Sequence, residues 1–330
     1  MLEKGRQHFI LLPLKSVYLK LGTKCNLHCK YCHQSKKDIE VNQDVFKYLS
    51  LLPNLEEVRL GGGEPLLYKD IIDKLKSSVS SNIKISMVSN GTLLTDDNIE
   101  WLNINNIHYG ISYDGNNNFR DAIPNFYKLS KVNTFNGIST VITSKFNYND
   151  FYNDIKEAMT ISNKNLLSYP NFIHQTKNSH NYELVDDNSV NTYISFICNE
   201  LALEYKMYKN GVQLDTLPFL KRYVDYLSRN IGYKNVKGVR CCNENHIHLL
   251  MNGNFSLCSY DGIIVGDIYS GVDWDKVNSY IPNKCKECKY WYVCRNHCIA
   301  NITDNECKIF KRIYSFFKDM VGDDFAEQGI

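Results

Sequence analysis

Twelve cysteines in 330 residues, eleven of them gathered into two stretches, restrict what this chain can fold into more than any other feature. Cys25, Cys29 and Cys32 lie near the start, and Cys241, Cys242, Cys258, Cys285, Cys288, Cys294, Cys298 and Cys307 occupy the last third. Cys198 stands alone in the apolar run Tyr193-Ile194-Ser195-Phe196-Ile197-Cys198, the setting of a buried and inert thiol. The opening MLEKGRQHFILLPLK has an apolar run cut by Pro13 and no small-residue cleavage site, so it is not read as a secretory signal. No stretch reaches the roughly 18 apolar residues of a membrane span. The expected location is therefore the reducing cytoplasm, where disulfides are disfavoured and clustered thiols at short spacing mean metal. A formal charge of +2 offers no cationic footprint for nucleic acid or an anionic membrane, so neither is expected as a partner.

Apolar, β-rich runs recur at Val17 to Leu21, Val58 to Leu60, Ile83 to Val88, Ile107 to Ser112, Ile138 to Thr143 and Leu166 to Tyr169. Segments of helical spacing fall between them, such as Asp70 to Val79, Asp96 to Leu102 and Phe151 to Ile161, which is the rhythm of a parallel sheet. Six such units predict an α/β fold, a partial (β/α)6 barrel of the TIM type over residues 1–186. Long helical runs, Asn188 to Tyr208 and Thr216 to Ser228, predict a helical connector over 187–237. A cysteine-rich unit over 238–330 is expected to open with a hairpin, His246 to Met251 and Phe255 to Cys258 around Asn252-Gly253, and to end in a helix, Lys308 to Met320, packed back on the body. Its loop-rich part has too little apolar content for a core of its own, so metal is expected to hold it together.

Cys25-Asn26-Leu27-His28-Cys29-Lys30-Tyr31-Cys32 directly follows the first strand, and the carboxyl ends of parallel strands are where such folds bind ligands. Three thiolates with His28 or His33 would complete a tetrahedral zinc site. Alternatively, three thiolates hold a cubane iron-sulfur cluster and leave one iron open to chelate the amino and carboxyl groups of S-adenosylmethionine (SAM).

With this CxxxCxxC run the sequence resembles the radical SAM enzymes, and three further elements carry the resemblance. Gly61-Gly62-Gly63-Glu64-Pro65 after the second strand is similar to the family's GGEP element for the methionine amino group, with Gly62, Gly63, Glu64 and Pro65 as contacts. Glycines there would let backbone approach the ligand, and Glu64 would accept from the ammonium. Ser89-Asn90-Gly91-Thr92-Leu93 after the third strand resembles the ribose and carboxylate contact, through Ser89 and Asn90; Ser112-Tyr113-Asp114-Gly115 after the fourth resembles the SLDG segment, through Ser112 and Asp114. Tyr31, before the third cysteine, would contact adenine. Each element alone reads as an ordinary turn; four at four successive strand ends do not. The stretch Asn116 to Arg120 is shorter than the family's acidic-arginine pattern, so Arg120 receives no SAM role.

Cys285, Cys288, Cys294 and Cys298 read CxxCxxxxxCxxxC, preceded by Cys242 and by Gly253-xxxx-Cys258 and followed by Cys307. A zinc-knuckle appendage would use the same thiols. The spacing resembles the SPASM extension of radical SAM maturases, which implies two auxiliary [4Fe-4S] clusters and three in all. By that resemblance Cys285, Cys288, Cys294 and Cys307 hold the outer cluster, while Cys258, Cys298 and one upstream cysteine hold the inner one. The upstream candidates, Cys241 and Cys242, are neighbours whose side chains point to opposite faces of extended chain. One of the pair is expected to ligate, leaving an iron open or capped by water or a substrate thiolate.

The resemblance runs from about Val17 to Cys307 and leaves no room for a fused leader-binding domain. It implies a peptide maturase: a 5′-deoxyadenosyl radical takes hydrogen from a ribosomally made precursor peptide, and an auxiliary cluster takes an electron as a carbon-carbon or thioether cross-link closes. A low-potential donor such as flavodoxin or ferredoxin would feed the first cluster. The leader would bind a separate recognition protein or add as a strand to an open sheet edge. Three rivals stand beside this reading. An anaerobic sulfatase-type formylglycine maturase would want an aspartate directly after the hairpin cysteine, where this chain has Ser259-Tyr260-Asp261 with Asp261 as the candidate base. A peptide epimerase would need a hydrogen-donating thiol, either Cys198 or the spare member of Cys241/Cys242. A non-catalytic, metal-stabilised binding module would explain the cysteines but not the strand-end motifs.

Overall fold

A computed structural model describes residues 8–29, 31–32, 41–115, 126–142, 146–162, 168–172, 186–231, 237–239, 241–258, 262–294 and 304–325. The strand-helix alternation appears where the apolar runs predict it. β1 (Ser16–Gly22), α1 (Asp44–Leu51), β2 (Glu57–Gly62), α2 (Lys69–Ser78), β3 (Lys84–Ser89) and α3 (Asp96–Ile104) come first. β4 (His108–Ser112), α4 (Phe126–Leu129), β5 (Phe135–Ile142), α5 (Tyr148–Ser162) and β6 (Ser168–Phe172) complete the series. Strands β1 to β6 pair in sequence order, each parallel to the next. Helix starts are marked chemically: Thr95 caps α3 by accepting from Asn98 N–H, and two acidic residues, Asp96 and Asp97, sit in its first turn.

Two long helices follow, α6 (Asp187–Lys209) and α7 (Pro218–Ile231). The C-terminal part then contributes β7 (Gly238–Val239), β8 (Cys242–Asn243), β9 (His246–Leu250), β10 (Asn254–Ser256), β11 (Ile264–Asp267) and β12 (Gly271–Val272). The short helices α8 (Trp274–Ser279), α9 (Asn283–Lys286) and α10 (Trp291–Cys294) lead to the terminal α11 (Asp304–Val321). The hairpin forms at Asn252-Gly253, where Gly253 takes φ +90. Helix α11 packs back on α6, and Tyr205 Oη and Lys209 Nζ both reach Asp324 just beyond it, at 2.5 and 2.9 Å.

The sheet continues past β1: β9 pairs parallel with β1 over Ser16↔His246 to Lys20↔Leu250, so one sheet runs β12-β11-β10-β9-β1-β2-β3-β4-β5-β6. The β1 edge of the six-stranded array is therefore covered by β9. Ile247, Leu249, Phe255, Leu257, Val265 and Ile268 are buried in the same hydrophobic core as Leu14, Val17 and Tyr48, and apolar contact with the barrel supplies the core that the segment lacks by itself.

Alternation along the strands sorts the two faces. Val17, Leu19, Leu21, Val58, Leu60, Ile85, Met87, Tyr109 and Ile111 are buried with Val45, Leu49, Ile72 and Leu75 of α1 and α2. The alternate set, including Tyr18, Lys20, Arg59, Gly61, Ser86, Val88, Gly110, Ser112 and His248, belongs to the opposite face, which we call the open face.

Candidate active site at the strand ends

The four strand-end elements come together through hydrogen bonds that join one loop to the next. Gly63 N–H donates to Gly22 O at 3.0 Å and Glu64 N–H to Lys24 O at 2.8 Å, tying the end of β2 to the cysteine loop after β1. Asn90 Nδ2 donates to Asn26 Oδ1 at 2.9 Å, Asn26 Nδ2 to Thr92 Oγ1 at 2.8 Å, and Thr92 Oγ1 to Asn90 Oδ1 at 2.6 Å. This closed ring fixes the loop after β3 against the residue following Cys25. Asp114, beyond β4, accepts from Val141 N–H at 2.6 Å through Oδ1 and from the Tyr31 hydroxyl through Oδ2. Tyr31 thus anchors the cysteine loop to β4 and β5, a task its sequence position did not disclose.

The glycine triplet earns its place by close packing within the protein. A Cβ on Gly61 would lie 1.7 Å from Tyr18 Oη, one on Gly62 2.3 Å from Gly22 O, and one on Gly63 1.9 Å from Lys24 O. Gly62 also takes φ +122, which other residues rarely adopt. These residues let β2 press against the cysteine loop, rather than only opening a path for ligand as the sequence reading supposed.

Glu64 has a structural role that the motif did not disclose. It is 1% exposed, and its carboxylate accepts from Ser89 Oγ at 2.7 Å, Asn90 N–H at 2.8 Å and Leu66 N–H at 3.1 Å. The carboxylate caps the 3₁₀ turn Pro65–Tyr68 and latches β2 to β3. Ser89 Oγ also accepts from Gly91 N–H at 3.0 Å. Ser112 is half-buried on the open face at the end of β4.

Cys25 is exposed, while Cys29 and Cys32 are intermediate. Leu27 N–H and Asn90 Nδ2 approach Cys25 Sγ at 3.5 and 3.9 Å, and Cys32 N–H donates to Cys29 O at 3.0 Å. Burial pushes the Cys25 thiol up, Leu27 N–H opposes it, and Glu64 and Cys32 push it up further. Three soft sulfurs on one loop, one of them met by N–H donors, fit a thiolate-held iron-sulfur cluster. Among the described residues no three His, Cys, Asp or Glu side chains form a ready-made single-ion site.

In the second constellation, burial, followed by Cys307 and Cys288, pushes the Cys285 thiol up, and Cys294 ends α10. Cys298 and Asp261 lie outside the described residues. The Cys241/Cys242 pair is split as extended chain requires: Cys242 is 0% exposed inside the hydrophobic core, whereas Cys241 is half-buried. Burial, with Cys241 beside it, pushes the Cys242 thiol up to about 12. Cys258 is 3% exposed.

Residues 19–144 match the model of the radical SAM superfamily. Those residues carry a radical SAM domain. Its sequence is 30% identical over 155 residues to an uncharacterized protein of Methanocaldococcus jannaschii, covering 40% of this chain and 54% of that one, so the match spans about half of that relative. A cysteine-type anaerobic sulfatase-maturating enzyme of Clostridium novyi is 24% identical over 86% of this chain and 87% of its own length. The fold is similar to native anSMEcpe with bound AdoMet and Cp18Cys peptide, at a TM-score of 0.65 and 20% identity over 93% of this chain and 98% of that one. It is also similar to Streptococcus suis SuiB bound to precursor peptide SuiA, at 0.56 and 15% identity over 88% of this chain and 72% of that one. A radical SAM domain over these residues implies SAM and a [4Fe-4S] cluster as cofactors. No helix among the described residues is long and apolar enough to cross a membrane.

Proposed function

We propose that this radical SAM protein modifies a ribosomally made peptide, removing a hydrogen atom from it and closing an oxidative cross-link. The observation that carries the proposal is the junction of the two constellations on one sheet: β1, which leads into the Cys25–Cys32 loop, pairs parallel with β9 of the hairpin that leads to Cys258. Likeness of fold to two proteins held with peptides supports a peptide as substrate.

When bound, SAM and a [4Fe-4S] cluster supply a 5′-deoxyadenosyl radical. Cys25, Cys29 and Cys32 would hold that cluster. Asn90, the backbone of Gly62 to Glu64 and the Tyr31 ring are the groups around it that would seat SAM, while Glu64 and Asp114 keep their loops in place. Cys285, Cys288, Cys294 and Cys307 would hold an outer auxiliary cluster, and Cys258 and Cys298 with Cys241 an inner one, Cys242 being committed to the core. Asp261 is the proposed acceptor of the proton released as the substrate radical is oxidised. A low-potential flavodoxin or ferredoxin would deliver the electron, and a separate protein would present the leader.

The sulfatase-type reading has its own support in the near full-length match to a cysteine-type sulfatase maturase. Given SAM, reductant and a candidate peptide encoded beside this chain, the product should be lighter by two hydrogens and resist reductive opening as one cross-linked species. A Ser- or Cys-to-aldehyde conversion would favour formylglycine formation, and an unchanged mass with solvent deuterium incorporated would show epimerisation.

A further inference from the structure

Beyond β5 the aromatic side chains form a continuous row. Tyr113, in the element that follows β4, meets Phe151 of α5 at 5.8 Å between ring centroids, Phe151 meets Phe146 at 5.0 Å, and Phe146 meets Tyr148 at 5.0 Å. Tyr148 then stacks on Phe196 of α6 at 5.4 Å. The Tyr113 hydroxyl also donates to Asp154 Oδ2 at 2.5 Å, so α5 is held to the strand end by a hydrogen bond as well as by packing. At the far end of the row, Phe146, Tyr148 and Phe196 line a cleft of about 720 Å³ between the start of α5 and residues 191–199 of α6. Strand β5 is parallel to β4, so the segment after it lies at the same end of the sheet as the loop that holds Asp114.

The other lining residues are polar and uncharged. Asn191, Ser195 and Asn199 recur every four residues along one face of α6, and Asn149 joins them from α5. All four are exposed, and none makes a side-chain hydrogen bond among the described residues. Among the described residues no Asp, Glu, Lys or Arg lines the cleft, so it offers no counter-ion to a phosphate, a carboxylate or an amine. A carboxamide carries both an N–H donor and a carbonyl acceptor, the pair that a peptide group presents. Tyr148 is 8% exposed, and its hydroxyl is buried with no hydrogen-bond partner among the described residues, an unmet polar group in the wall of the cleft.

We infer that this cleft is a second subsite for the peptide, one that holds an uncharged stretch of its main chain away from the residue that reacts. The inference rests on the reading above that the substrate is a peptide. Carboxamides on α5 and α6 would pair with successive peptide groups, while the three rings would take an apolar side chain. The ring row ties the subsite to the strand-end site: steps of 5.8, 5.0 and 5.0 Å lead from Tyr113 to Tyr148, a span that about five extended residues would cover at about 3.3 Å each. One peptide can therefore occupy both places. The cleft orients the chain and touches no reacting atom.

The test is a charge scan across this interface. Fluorescein-labelled versions of the candidate precursor peptide encoded beside this chain, each with one lysine at successive positions, are titrated by anisotropy against the anaerobically reconstituted full chain with SAM. The protein is used as wild type, Asn199→Asp and Asn199→Lys; position 199 is exposed on α6, so neither charge is forced into the core. At one short run of peptide positions, Asn199→Asp should bind the lysine peptide about tenfold more tightly than Asn199→Lys does, and about 0.5 M salt should erase the difference. If either variant fails to load iron, Asn191→Asp and Asn191→Lys are read by the same criteria. Equal affinities at every position, a difference that is the same at every position, or a run that includes the modified residue would overturn the inference. A wild-type protein that binds the unsubstituted peptide no more tightly than a scrambled one would instead overturn the reading of a peptide substrate on which it rests.

Discussion

Replacing Cys25, Cys29 and Cys32 together with alanine should abolish 5′-deoxyadenosine formation and lower the iron content from about twelve to about eight per chain, since three of the proposed ligand sets would fall to two. The loop carries these thiols on its surface side, with Cys25 exposed, so their loss takes no large side chain from the core. Anaerobic reconstitution, iron and sulfide analysis and chromatography of the SAM products measure both effects. Continued 5′-deoxyadenosine production by the triple variant would refute the assignment of the first constellation. Stoichiometric zinc with no iron uptake in the parent protein would do the same for all three clusters.

Glu64→Ala should cost about 3 to 5 kcal/mol of stability in the absence of SAM. The carboxylate is buried and satisfies three donors, Ser89 Oγ, Asn90 N–H and Leu66 N–H, and each buried donor left unsatisfied costs about 1 to 3 kcal/mol. The urea midpoint of the SAM-free protein should fall accordingly, with Glu64→Gln intermediate because one acceptor oxygen remains. This differs from the expectation raised by the GGEP resemblance alone, a loss of about 1.5 to 3 kcal/mol in SAM binding with the fold intact. An unchanged midpoint with SAM binding weakened about ten- to a hundred-fold would return the carboxylate to the role of a SAM ligand.

The contrast at Glu64 shows where sequence reading stops. The motif is local and legible: a glycine run, an acid and a proline at the end of an apolar strand can be recognised without coordinates. Most of what the acid touches is not local, because two of its three partners, Ser89 and Asn90, lie at the end of β3, 25 and 26 residues on. The same holds for the sheet. Apolar runs and helical spacing were enough to expect β1 to β6 in order, and Asn252-Gly253 marked the hairpin, but nothing in the hairpin's own residues named β1 as its neighbour. That partner choice depends on Leu249 and Ile247 meeting the core beside Val17 and Leu19, a match of surfaces far apart in sequence.

The central claim, that a SAM-derived radical acts on a peptide at the strand-end site, is tested most directly by following one hydrogen atom. A candidate precursor peptide encoded beside this chain, uniformly deuterated and incubated anaerobically with the reconstituted protein, SAM and a low-potential reductant, should yield 5′-deoxyadenosine heavier by one mass unit. Mass spectrometry that finds 5′-deoxyadenosine formed in the peptide's presence but free of deuterium would contradict it.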